Sequence, residues 1–207
     1  MEPAINSIIK KTHQFKGKIG DLVTSYEYPN DNKSQILLAY KSLIVEHHNA
    51  IFLLVQNALN GSAFALVRSL YEPFYRAHWV VGCATDEQVD KILEGKDVFP
   101  KMSVMVEEID AAFGIGDFFQ NIKKNSWGPM NDYTHSGLRQ ISRRFENNEV
   151  SPNYSTEEII EVLDGINIAL ILMALVFFKF FRKEDAAKDV EQILYEYSED
   201  KKQTKNA

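Results

Sequence analysis

A chain of 207 residues that is 45% hydrophobic and 25% charged has enough apolar side chains for one ordinary core, which excludes a disordered or fibrous chain. Its net charge of −6 excludes a uniformly basic surface that would hold nucleic acid everywhere. Ten Gly and six Pro are few for this length, which favours long helices over a turn-rich β fold, and a lone Cys83 permits no internal disulfide.

Ile5, Ile8, Ile9, Phe15, Ile19, Leu22 and Val23 recur at three- and four-residue intervals and predict an amphipathic helix. Tyr28-Pro29-Asn30-Asp31-Asn32 reads as a turn whose Asp31 or Asn32 caps a helix from about Ser34 to Leu59. Asn60-Gly61 is expected to end that helix, and Ser62 to cap the next, which reaches Cys83 with a kink at Pro73. Thr85-Asp86-Glu87-Gln88 has the spacing of a capping box and opens a short helix ending at Gly95. Pro100 opens another, which Gly114 and Gly116 close.

A brief helix is predicted over residues 117–124, and a second from Trp127 to Phe145 on either side of Gly137. A loop follows at Asn147-Asn148 and Ser151-Pro152-Asn153. Ser155-Thr156-Glu157-Glu158 opens the most apolar helix, closed by Arg182-Lys183. Its stretch Ile166–Phe181 is apolar except for Asn167 and Lys179, and is shorter than the roughly 20 residues of a membrane span. A central core helix or a dimer face is the expectation. Val190, Ile193, Leu194 and Tyr197 give one more amphipathic turn or two.

The fold class that emerges is all-α: a single-domain helical bundle of about five main helices plus short connecting helices over residues 1–198, with a disordered tail over 199–207 and essentially no β-sheet. Met1-Glu2-Pro3-Ala4 lacks the basic-then-apolar layout of a signal peptide, and Cys83 beside Trp79-Val80-Val81 reads as an inert buried thiol; both lead to the expectation of a cytoplasmic protein.

Two constellations stand out. Arg68, Glu72 and Arg76 follow at four-residue spacing and share one side of their helix with Tyr75 and Trp79. Since Leu66, Leu70, Ala77 and Val81 make the opposite side apolar too, that helix should be central, with its charges partly buried and paired. The second is Asn131-Asp132-Tyr133-Thr134-His135-Ser136-Gly137-Leu138-Arg139, denser in polar groups than a packing helix requires, with His135 and Arg139 one helical turn apart. It sits in a segment, residues 122–144, where Lys123, Lys124, Arg139, Arg143 and Arg144 face only Asp132, a net +4 in an acidic chain. Trp127 and Tyr133 beside these cations suit phosphate and base contact.

Taken together these residues predict a pocket. Arg68, Arg139 and Arg143 would hold phosphate, with Arg144, Lys123, Lys124 and Trp127 extending the surface. His135 would carry a proton, as imidazole does near neutral pH, Glu72 would orient it or an arginine, and Tyr133 would complete the site. No metal is expected: Asp132 and His135 have a helical ligand spacing, but the Glu-x-x-His pairs of a bundle metal centre do not occur. No cofactor is expected either, since no glycine-rich phosphate loop is present. The competing expectation is a non-catalytic module in which the same polar residues fix helix register and the apolar helix face makes a homodimer or meets a cognate partner protein.

The stretches Ala65-Leu66-Val67-Arg68-Ser69-Leu70-Tyr71-Glu72, Cys83-Ala84-Thr85-Asp86, Met130-Asn131-Asp132-Tyr133-Thr134-His135-Ser136-Gly137 and Asn153-Tyr154-Ser155-Thr156-Glu157-Glu158-Ile159 resemble a family of uncharacterised bacterial helical proteins, a domain of unknown function with Arg-x-x-x-Glu and Tyr-Thr-His-Ser-Gly motifs. More distantly such proteins resemble the HEPN-type bundles and abortive-infection proteins of prokaryotic antiphage defence. That resemblance implies a helical bundle and RNA as the substrate class. HEPN ribonucleases carry an Arg followed four to six residues later by His; this chain has His135-x-x-x-Arg139, the reverse order, and no such pair.

Overall fold

A computed structural model describes residues 3–205, with side chains described through Glu199. Among the described residues there are nine helices: α1 (Pro3–Thr24), α2 (Asn32–Gln56), α3 (Asn60–Gly82), α4 (Asp86–Leu93), α5 (Met102–Phe113), α6 (Phe118–Thr134), α7 (Leu138–Ser142), α8 (Thr156–Phe180) and α9 (Glu184–Lys205). Five of them, α1, α2, α3, α8 and α9, run 22 to 25 residues and form the bundle. The expected all-α architecture is what the chain adopts.

Polar caps set three helix starts as the residues predict. Asp31 accepts the Ser34 N–H at the start of α2. Thr85 with Gln88, and Ser155 with Glu158, form reciprocal capping boxes at α4 and α8. Three junctions differ. The α2–α3 turn is closed by backbone bonds around Ala58, at φ +57°, so α3 starts at Asn60 and Ser62 is not its cap. Helix α6 runs unbroken to Thr134 through Gly128 and Pro129, because Phe119, Met130 and Tyr133 all gain burial along its inner face. The chain then breaks at His135-Ser136-Gly137, with Ser136 at φ +54°, so the helix expected from Trp127 to Phe145 is two pieces.

The expectation of no sheet also needs correcting in one place. Phe145–Glu146 (β1) and Glu149–Val150 (β2) pair antiparallel across Asn147-Asn148. Both asparagines have positive φ, the backbone of a tight hairpin turn that Asn tolerates. Backbone helix extends to Lys205 where a tail was expected from Glu199; residues 206–207 lie outside the described residues.

Helix α3 is the centre, packed by α2, α5, α6 and α8, with Leu70, Tyr75, Ala77 and Val80 fully buried. Helix α8 is packed by α1, α2, α3 and α9. Gly165 lets α8 approach α3 closely enough for the Tyr71 hydroxyl to donate to its carbonyl at 3.1 Å. Being 25 residues long, α8 exceeds the apolar run read from sequence; among the described residues it is the one helix long and apolar enough to cross a bilayer, and 56% of its most apolar stretch is buried inside the bundle. Its one central polar residue, Asn167, has no exposure: its amide donates to Thr12 Oγ1 of α1 at 2.8 Å and to the Tyr197 hydroxyl of α9 at 3.0 Å, and its carbonyl oxygen lies 2.9 Å from His48 Nε2 of α2.

Candidate functional site

Arg68 and Glu72 lie one turn apart on the side of α3 that faces α6. Arg68 donates through Nε and Nη2 to Glu72 Oε1, at 2.8 and 2.7 Å. Its remaining amine, Nη1, lies 2.9 Å from His135 Nε2. A guanidinium can only donate, so His135 must accept there, which puts the imidazole proton of the neutral ring on Nδ1. The Trp127 ring sits 5.1 Å from the Arg68 guanidinium carbon and holds it from the side. Arg68 and Glu72 are half-buried and His135 is exposed. The two constellations predicted from sequence therefore meet across α3 and α6, and they do so at the surface.

The Tyr-Thr-His-Ser-Gly segment divides its labour residue by residue. Tyr133 packs edge-on against Phe64 of α3, ring centres 5.1 Å apart. The Thr134 hydroxyl reaches the Met130 carbonyl of its own helix at 2.8 Å and the Ala65 carbonyl of α3 at 3.1 Å, which pins the end of α6 to α3. His135 caps α6 and meets Arg68, and Ser136 takes the left-handed turn. At Gly137 the Asp132 carboxylate comes so close that a Cβ would collide with it; that carboxylate accepts the Arg139 N–H at the start of α7. Asp132 is thus a helix cap. His135 and Arg139 flank a chain break and do not share a helical face, as the sequence reading had them do.

On the other side of Tyr133 a cleft of about 460 Å³ opens between α3, α6 and α8. Tyr71, Ser126, Tyr133, Arg139, Glu158 and Glu161 line it among others, whereas Arg68, Glu72, Trp127 and His135 do not. Burial pushes the Tyr133 phenol above its ordinary range, partly offset by Arg143. The predicted residues thus form two neighbourhoods, Arg68, Glu72, Trp127 and His135 in one and Tyr133 with Arg139 in the other.

The basic strip also divides. Arg143 is tied to Glu158, which the sequence reading used only as the partner of Ser155; its two oxygens serve both. Arg144 lies against Gly61 and the Tyr154 hydroxyl, where a Cβ on Gly61 would meet its guanidinium. Both arginines join the α7–hairpin segment to the bundle. Arg139 and Lys124 are exposed and Lys123 half-buried.

Sequence reasoning missed the Thr12–His48–Asn167–Tyr197 network, although a lone Asn in an apolar run was its visible sign. Cys83, expected to be buried, is only half-buried; what burial it has raises its pKa.

No curated protein and no solved structure matches the chain. A family model does, over residues 41–202, a span that includes both constellations, and the chain therefore belongs to the family of unknown function DUF6988.

Proposed function

We propose that the protein binds RNA or a nucleotide through phosphate at the open Arg68–His135 face, in the defence- or toxin-associated setting that its resemblance to HEPN-type bundles implies. One observation carries the reading: Arg68 Nη1 of α3 and Nε2 of an exposed His135, just past the end of α6, stand 2.9 Å apart with Trp127 against the guanidinium. Arg68 is pre-oriented by Glu72, so little side-chain freedom is lost when an anion approaches. Arg139, Lys124 and Lys123 extend the positive field, while Arg143 and Arg144 are engaged structurally and leave the phosphate-binding set. RNA cleavage would use His135 as proton carrier and Arg68 to stabilise charge on the phosphate.

A second reading rests on the same guanidinium. With Nε and Nη2 on Glu72 and Nη1 on His135, Arg68 has both edges in use, as a register lock between α3 and α6 in a non-catalytic interaction protein would. The test is anisotropy titration of a labelled single-stranded RNA at two salt concentrations, with cleavage followed on gels. Wild type should bind, Arg68→Ala and Arg139→Ala should each weaken binding about 10-fold, and His135→Ala should bind but not cleave. If wild type shows no binding, or Arg68→Ala lowers Tm yet binds RNA as wild type does, the register-lock reading replaces the first.

A further inference from the structure

Away from that face, α3, α5, α6 and α8 line a second cavity of about 570 Å³ that is open to solvent on one side. Its walls include Phe113, Phe118, Leu172, Leu175 and Phe180, and Phe113, Ile115 and Phe118 remain 37–44% exposed at its edge. Two polar side chains reach it. Lys179 is already paired with Glu191 at 2.7 Å. The other is His78, only 4% exposed and packed against Phe74, Phe113 and Phe119.

The state of that imidazole is fixed by its helix. Nδ1 lies 2.8 Å from the Phe74 carbonyl, which can only accept, so Nδ1 carries the proton and Nε2 presents a bare lone pair. Nε2, across the ring from that bond, has no hydrogen bond among the described residues, and His78 lines the cavity. Burial also holds the ring neutral, with its pKa lowered to about 4. An acceptor without a protein donor, on a side chain only 4% exposed at the wall of a largely apolar cavity of ligand size, is the arrangement of a small-molecule site with one orienting polar group.

We propose that this cavity binds a small, neutral, largely aromatic or alicyclic molecule bearing one O–H or N–H donor, which that donor anchors on His78 Nε2. An anion is disfavoured: the neutral acceptor repels it and the one nearby cation is paired.

The test uses the full chain and two probes of nearly one shape, 4-phenylphenol and its methyl ether 4-methoxybiphenyl, titrated calorimetrically. The phenol should bind one molecule per chain, at least 10-fold more tightly than the ether. His78→Phe, checked for fold by circular dichroism, should remove the phenol's advantage while both probes still bind. Leu172→Trp, at a half-buried wall position, should abolish binding of both, and Arg68→Ala should change neither, which separates this site from the RNA-binding face. Equal affinity of the two probes, or a Leu172→Trp chain that binds like wild type, overturns the proposal. So does a wild-type dimer, seen by sedimentation, that Leu172→Trp dissociates and that excludes the probes, since a second copy would then fill the cavity.

Discussion

His48 and His78 are both buried and both neutral, yet their protons sit on opposite nitrogens. His48 donates through Nε2 to the Asn167 carbonyl oxygen, and its Nδ1 is buried without a partner; His78 donates through Nδ1 to its own helix. A proton added to either ring would place a charge in the core, and at His48 the ammonium of Lys16 adds repulsion. Burial therefore holds both pKa values at about 4, below the 6.5 of the unfolded chain. Between those pH values the unfolded state binds more protons, so stability is complete above about pH 6.5 and falls as pH drops toward 4. Each imidazole contributes roughly 3 kcal/mol across that window. Carboxylates held low by their hydrogen bonds, such as Asp31 against Ser34, act below it. The urea midpoint should decline steadily from pH 7 to 4.5, and about half as steeply in His78→Phe. A midpoint flat over that range would show that neither ring is held neutral by the fold.

At the scale of elements, the α6–α7 junction is where one small residue decides geometry. Gly137 has φ −73°, so its glycine is required by the Asp132 carboxylate beside it and not by backbone strain. Gly137→Ala would push that carboxylate off the Arg139 N–H, a lost cap of about 1 kcal/mol, and lower Tm by roughly 2–4 °C. Asp132→Ala should lower it similarly, and the double variant should add nothing further because both remove one interaction. Fully additive losses would mean that Gly137 matters for some other contact. The Arg68–Glu72 pair was legible because helical spacing of four places such residues together without any tertiary knowledge. The capping boxes at Thr85 and Ser155 were legible for the same local reason. Local rules failed where packing outweighed them: α6 continues through Gly128-Pro129 for the burial of Met130 and Tyr133, and the α2–α3 turn needs no side-chain cap. Two-residue strands are too short to leave a periodicity, so the hairpin read as a loop. The meeting of Arg68 with His135 could be expected from polar density, but the division of the site by Tyr133 and both cavities arise from how helices pack.

At the scale of the molecule, the matched family segment begins at residue 41, inside α2, and leaves α1 outside it. Yet α1 closes the core: Ile5, Ile8, Phe15 and Ile19 are buried, Thr12 has no exposure, and Phe15 packs edge-on against Tyr197. Four such side chains are worth roughly 6–12 kcal/mol by transfer of apolar surface, comparable with the whole stability of a domain at about 5–15 kcal/mol. Removing α1 would also leave the Asn167 amide short of Thr12 and wet one flank of α8, the most apolar helix in the chain. A chain of residues 31–207 should therefore lack a cooperative thermal transition, bind the dye ANS strongly and associate through α8. Phe15→Ala, which keeps the helix, should cost about 3–5 kcal/mol yet still melt cooperatively. If the shortened chain melts cooperatively within a few degrees of the full one, α1 is an accessory laid on a self-sufficient bundle. The Asn167 network would then be held by α2, α8 and α9 alone.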